Sequence, residues 1–279
     1  LAMNLFGGKI HFSFWVLPMD SAEMEFLHKS GRRKRIVAKI QKAVDIAASE
    51  GAEVISLGGY NSIITNNGLS LADPIGARVI TGNTLTAAVN IAHLGDTIRR
   101  DERFNRPNVI AIVGSTGNIG RVTMEILSEQ PDICSELILV SRSEKRQTMM
   151  VNELKGRQNS TVVLRSTGNM HDIREADILI ICSNTNDPII FPHHIAAGKH
   201  VLITDISVPS AVSPDVYGLK NVIGIPFSSY VTLPRDKAAV ISSYSPRGTV
   251  FCCAAESILL GLESFTGILK GRILPEEVR

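Results

Sequence analysis

The sequence predicts an α/β protein in which a doubly wound parallel sheet is joined to a second, smaller α/β domain completed by the C-terminal helix. Three observations predict it. From Val109 onward, short β-branched runs alternate with helical patterns. The first of those runs ends in Gly114, Gly117 and Gly120, directly before an amphipathic helix. Ahead of Asn105-Arg106-Pro107 a separate set of apolar stripes precedes this alternation, and 279 residues suffice for two cores.

Gly8 to Leu17 places Ile10, Phe12, Phe14 and Val16 on one side and reads as a strand. Arg33 to Ser49 carries Ile36, Ile40, Ala43, Val44 and Ala47, a helical stripe that Gly51 ends. Glu53 to Leu57 is a short buried strand, Tyr60 to Gly82 is loop-rich, and Thr84 to Arg100 is helical. Strands are then predicted at 109–113, 137–140, 161–164, 178–182, 201–205 and 222–225. Helices are predicted near 119–128, 146–154 and 192–197, and a last one over 249–269 with Thr249 as its N-cap. The chain therefore divides into residues 1–88, with 247–279 folding back onto them, and residues 89–246.

The glycine turn carries the first chemical signal. Gly114, Ser115, Thr116, Gly117, Asn118, Ile119 and Gly120 join a buried strand to a helix start, as a Rossmann-type fold does around a pyrophosphate. Glycines there admit backbone N–H groups to the phosphates, at the positive end of the helix. A plain strand-to-helix turn is the alternative. The second strand ends in Ser141-Arg142-Ser143, 21 residues past Gly120, with no carboxylate at its tip. An acidic side chain there would select NAD, so Arg142 favours NADP, unless it is simply a solvated loop arginine. Ser183 and Asp205, each at the end of a sheet strand, lie where side chains face the bound nicotinamide. Asp205 could instead cap its own loop through Ser207.

Composition excludes other classes. Hydrophobic residues make up 44% and charged residues 20%, with no apolar run of membrane-spanning length. The opening residues lack the charged start and cleavage site of a signal peptide. Cysteines 134, 182, 252 and 253 lack metal-ligand spacing, which points to a reduced, cytoplasmic protein. A net charge of +2 argues against nucleic acid as partner. Lys29 to Lys42 nonetheless holds seven basic residues and no acidic one, either a solvated helix face or a landing strip for an acidic partner.

Cys252 and Cys253 fall in the first turn of the predicted last helix. A helix N-terminus, with Arg247 nearby, would lower a thiol's pKa; a merely buried cysteine is the alternative. None of the seven histidines stands out, and no Ser/His/Asp arrangement or metal set is visible.

These residues carry a resemblance. VISLGGYNSIITNNG and ITGNTLTAAV, the IVGSTGNIG turn, and Phe251-Cys252-Cys253-Ala254-Ala255-Glu256 resemble, in the same order, motifs of the cyanobacterial-type long-chain acyl-[acyl-carrier-protein] reductases. Asp205-Ile206-Ser207-Val208-Pro209 is more distantly similar to a segment of glutamyl-tRNA reductases, whose early cysteine-asparagine-arginine motif is absent here. The resemblance implies NADPH-dependent reduction of an acyl thioester to an aldehyde, with Cys253 as the nucleophile. It puts Leu57-Gly58-Gly59 and Thr81-Gly82-Asn83-Thr84 beside the acyl and nicotinamide pocket. Asn83, Thr84 or helix-start N–H groups would serve the oxyanion, and the basic 29–42 stretch would suit an acidic acyl-carrier protein. The family has further segments at both ends, so an excised domain or a shorter relative is expected. The rivals are a shikimate-dehydrogenase-like alcohol oxidoreductase without a covalent step, and a non-catalytic NADP-binding protein.

Overall fold

The computed structural model of the chain describes residues 2–156, 161–226, 228–232, 245–246, 248–264, 267 and 269–279. They form two compact units, Leu1–Thr86 with Tyr230–Ile273, and Ala87–Ser229 with Leu274–Arg279. The first unit opens with strands β1 (Ala2–Leu5) and β2 (Ile10–Ser13), then α1 (Ser21–Lys29), α2 (Arg33–Ser49), β3 (Val54–Ser56), α3 (Tyr60–Ile64), β4 (Arg78–Ile80) and α4 (Asn83–Arg100), within which the chain passes to the second unit. There follow β5 (Asn108–Val113), α5 (Asn118–Leu127), β6 (Cys134–Val140), α6 (Glu144–Lys155), β7 (Val163–Thr167), β8 (Ile178–Ile181), β9 (Val201–Asp205), α7 (Pro214–Tyr217) and β10 (Val222–Gly224). β11 (Tyr230–Thr232), β12 (Thr249–Phe251) and α8 (Cys252–Leu262) return to the first unit, and α9 (Pro275–Val278) belongs to the second.

The second unit is a Rossmann-type sheet. Six parallel strands lie in the order β7-β6-β5-β8-β9-β10, which reverses direction at β5. Strand alternation makes two cores. Ile110, Ile112, Leu137, Leu139, Ile178 and Ile180 face Met124 and Leu127 of α5 and Met150, Val151 and Leu154 of α6. Ala111, Val113, Ile138, Val140, Leu179 and Ile181 face the other way, against Ile173, Ile190, Ile195 and Val216. Burying both faces explains why these strands read as unbroken apolar runs.

Asp177, 4% exposed, clamps the amino ends of the central strands. Its carboxylate accepts from Val109 N–H at 2.9 Å and pairs with Arg106 at 2.9 Å and Lys199 at 3.2 Å. Burial raises its pKa, but those donors outweigh it and hold the carboxyl below its ordinary value.

In the first unit β3 and β4 pair in parallel. α2 buries Ile36, Ile40, Val44 and Ala47 at helical spacing. That stripe packs with Met24, Leu57, Ile64, Leu71 and Val79. Asp20 caps α1 by accepting Glu23 N–H at 2.7 Å. A second cluster joins Leu5 and Phe12 to Val250, Ala254, Ala255 and Ile258.

Several predicted elements differ. The single strand expected over 8–17 is the second half of an antiparallel hairpin, β1 with β2. The 60–82 stretch holds α3 and β4. The helix expected over 192–197 is a 3-10 turn, Pro192–His194, and the strand expected at 161–164 runs Val163–Thr167. The last helix starts later than predicted: Thr249 lies in β12, paired with β11, and α8 starts at Cys252.

Candidate active site

β3 and β4 end side by side, and each is followed by glycine. Gly59 (φ +54°) precedes α3, and Gly82 (φ +75°) precedes α4. The N-terminus of α8 packs over these two turns and brings Cys253, its second residue, against them. A Cβ on Gly82 would lie 2.4 Å from Cys253 Cβ, and one on Gly58 would lie 3.9 Å from Cys253 Sγ. Ser56 Oγ donates to the Cys253 carbonyl at 2.6 Å, fastening α8 to the end of β3. The carboxyl ends of parallel strands are where α/β proteins bind ligands, and here they carry a cysteine.

The two adjacent cysteines differ. Cys252 is buried at 1% exposure, and burial and the neighbouring Cys253 push its thiol up to about 12. Cys253 is partly buried. Burial raises its thiol above the ordinary value, while the N–H groups of Gly59 and Ala254 counteract and nearby Glu256 adds to the rise. The depressed thiol expected of a helix N-terminus is therefore not found, because desolvation outweighs the backbone donors. Cys253 rests as a thiol with amide donors already facing its sulfur. Arg247, expected to help it, lies outside the described residues.

Asn83 and Thr84 open α4. Asn83 N–H donates to Thr81 Oγ1 at 3.3 Å, and Thr84 is buried. What sequence reasoning missed is Glu256, 3% exposed, whose Oε2 accepts Leu85 N–H at 2.7 Å. Its only signal in the sequence was a glutamate directly after the paired alanines Ala254-Ala255.

In the second unit the glycine turn has the geometry of a phosphate cradle. Gly114 has φ +87°, and a Cβ there would meet the Cys182 carbonyl at 2.6 Å. On Gly120 it would meet the Gly114 carbonyl at 2.5 Å, and on Gly117 the same oxygen at 3.2 Å. Gly117 is the N-cap of α5 and supplies no side-chain cap. Thr116 Oγ1 and Ser141 Oγ are 2.8 Å apart, and Ser141 Oγ accepts Ser143 N–H at 3.2 Å, so the tip of β6 is tied to the turn. Arg142 is exposed at that tip. The turn packs too closely on its own backbone for side chains at these glycines and leads into the start of α5, an arrangement that fits a dinucleotide's pyrophosphate.

Asp205 takes the loop-capping role that the sequence offered as its alternative. Its oxygens accept from Ser207 N–H at 2.9 Å, Ser210 Oγ at 2.8 Å and Ala211 N–H at 2.9 Å. It holds the loop after β9, which leaves it little capacity for a ligand. Ser183, partly buried, follows Cys182, whose N–H donates to Val113. Beside Asp205, Thr204 accepts from buried Asn90 at 2.6 Å and donates to Ser228 at 3.0 Å.

The basic stretch is divided. Arg33 donates to the Ile64 carbonyl at 2.7 Å and to Ser70 Oγ at 2.8 Å, and Lys29 pairs with Glu25 at 2.6 Å. Arg32, Lys34, Arg35, Lys39 and Lys42 are exposed. A shallow groove of about 340 Å³ runs between Arg33, Lys34, Val37, Ala38, Gln41 and Ser70. Among the described residues no helix is long and apolar enough to cross a membrane, and no His, Cys, Asp or Glu group could hold a metal.

Known proteins share parts of this pattern. Residues 100–226 match the model of the Shikimate / quinate 5-dehydrogenase family. A glutamyl-tRNA reductase from Christiangramia forsetii is 27% identical over 146 residues, 52% of this chain and 32% of that protein. Aminotransferase PigE from Serratia sp. is 25% identical over 252 residues, 89% of this chain and 28% of that protein. A glutamyl-tRNA reductase structure from Methanopyrus kandleri aligns at 14% identity and a TM-score of 0.35, covering 49% of this chain and 34% of that one. The chain spans about a third of the length of these two curated relatives. By strand order the second unit is a Rossmann-type sheet, and its residues 100–226 are similar to the Shikimate / quinate 5-dehydrogenase family.

Proposed function

We propose that the chain reduces an acyl thioester to an aldehyde with NADPH, through an acyl group held on Cys253. The observation that carries this reading is Cys253 at the carboxyl ends of β3 and β4, with Gly59 N–H facing its sulfur and glycine on both flanking turns. The similarity to glutamyl-tRNA reductases supports it. Cys253, once deprotonated, attacks the thioester carbonyl, and the carrier's thiolate leaves and takes up a proton. One thioester replaces another, so little driving force is needed and positioning dominates. The amides of Gly59 and Ala254 that face the thiol stabilise negative charge on the sulfur before attack and on its release.

The residues fitted to hold NADPH are Gly114 to Gly120, with Ser141, Arg142 and Ser143 at the ribose end. When bound, the dinucleotide supplies the hydride that takes the acyl carbon to the aldehyde level. Asp205 keeps the loop beside β9 in place. The exposed Lys34, Arg35, Lys39 and Lys42 suit an acidic acyl-carrier protein as the thioester's bearer.

Aldehyde release from an acyl thioester with NADPH tests this, and Cys253→Ala should abolish it. The family match at 100–226 favours a second reading, an alcohol oxidoreductase without a covalent step. Under that reading Cys253→Ser would retain nearly full activity.

A further inference from the structure

We propose that Glu256 is a positioning residue for Cys253: by binding the Leu85 amide it locks α8 to the start of α4 and sets the charge that the thiol faces. The proposal rests on the reading of Cys253 as nucleophile.

Glu256 lies on α8 three residues after Cys253. Leu85 is the third residue of α4, so its N–H is one of the helix's first amides, which lack an intrahelical acceptor. Oε2 of Glu256 supplies that acceptor at 2.7 Å. A carboxylate at the positive end of an 18-residue helix is favoured, which explains how a glutamate only 3% exposed is accommodated there. The same helix start carries Gly82, the residue that Cys253 presses against. One bond thus fixes the turn on one side of the cysteine relative to the helix that bears it.

The placement has an electrostatic consequence. Among the described residues, the titratable side chain that acts on the Cys253 thiol is Glu256, on the same helix. β3 and the turns before α3 and α4 bring Ser56, Gly58, Gly59 and Gly82, none of which titrates. Burial does most to keep the proton on sulfur, and the negative charge of Glu256, which opposes a thiolate, adds to it. A glutamine would keep an acceptor for Leu85 N–H and remove the charge.

The test follows the rate of iodoacetamide alkylation of Cys253 against pH, read by tandem mass spectrometry, in the parent, Glu256→Gln and Glu256→Ala. The proposal expects Glu256→Gln to lower the alkylation midpoint by about half a pH unit, roughly a threefold faster reaction below it. Glu256→Ala should in addition slow acyl transfer from a thioester to Cys253, because the turn loses its tether. A Glu256→Gln profile superimposable on the parent overturns the proposal, and so does a Glu256→Ala protein with parental acyl transfer. Alkylation needs no substrate. If aldehyde formation survives Cys253→Ala, the thioester reading fails, while the alkylation profile still reports on Glu256.

Discussion

Gly82 and Cys253 are in such close contact that a single added methyl group would stand 2.4 Å from Cys253 Cβ and 2.6 Å from its Cα. Neither atom belongs to a flexible chain end that could swing aside. Gly82 also has φ +75°, a backbone conformation that glycine tolerates and other residues pay for. Gly82→Ala should therefore cost about 3 kcal/mol or more through overpacking and backbone strain. Chemical denaturation measures it, and a variant as stable as the parent would show that the contact is not as close as described.

The glycine turn of the second unit gives an independent prediction. Gly120→Ala would drive a methyl group into the Gly114 carbonyl at 2.5 Å and distort the cradle. NADPH affinity should fall about tenfold or more, as read by nucleotide fluorescence. Arg142→Ala should weaken NADPH by a similar factor and leave NADH unchanged, since only NADPH carries the 2′-phosphate. Equal losses for both nucleotides would argue against Arg142 as the selecting residue.

Asp177 links stability to pH. Its folded carboxyl titrates below the ordinary value, so the stability it contributes is present above about pH 4, the unfolded value, and is lost as pH falls through the lower folded one. Asp177→Ala leaves Val109 N–H without its acceptor and removes the partner of Arg106 and Lys199. The cost should be about 3 kcal/mol, the low end for a broken buried pair because Arg106 is half exposed. Urea midpoints of parent and variant should differ most at pH 7 and draw closer as the pH is lowered below the ordinary carboxylate value.

Thr204 bridges Asn90 and Ser228 in a buried chain. Thr204→Val keeps the shape and leaves both neighbours short of a partner, so a loss of about 1–3 kcal/mol is expected in thermal denaturation.

How much of this was legible in the sequence depends on whether the signal was local. β9 at Val201–Asp205 and α2 at Arg33–Ser49 match their predicted ranges, because an unbroken apolar run and a helical stripe are properties of consecutive residues. β1 and β2 were misread because a hairpin edge gains its pairing from the other strand, and only alternation in 8–17 was visible. Thr249 looked like an N-cap by residue type, yet pairing of β12 with β11 claimed it for a strand. The glycine spacing at 114–120 was readable because Gly117 and Gly120 answer clashes with the nearby Gly114 carbonyl, although the contact that demands Gly114 comes from distant Cys182. Glu256 was not, because its partner Leu85 lies 171 residues away in the chain. From sequence the Cys253 thiol is open between a pKa lowered by a helix start and a merely buried cysteine. Its packing against the turns after β3 and β4 becomes visible only in three dimensions.

The most direct measurement is the mass of the chain after brief exposure to an acyl thioester without nucleotide. The reading above predicts one added acyl group, mapped to Cys253, released by hydroxylamine and absent in Cys253→Ala. An unmodified chain that still forms aldehyde when NADPH is added, or an acyl group mapped to another residue, would contradict it.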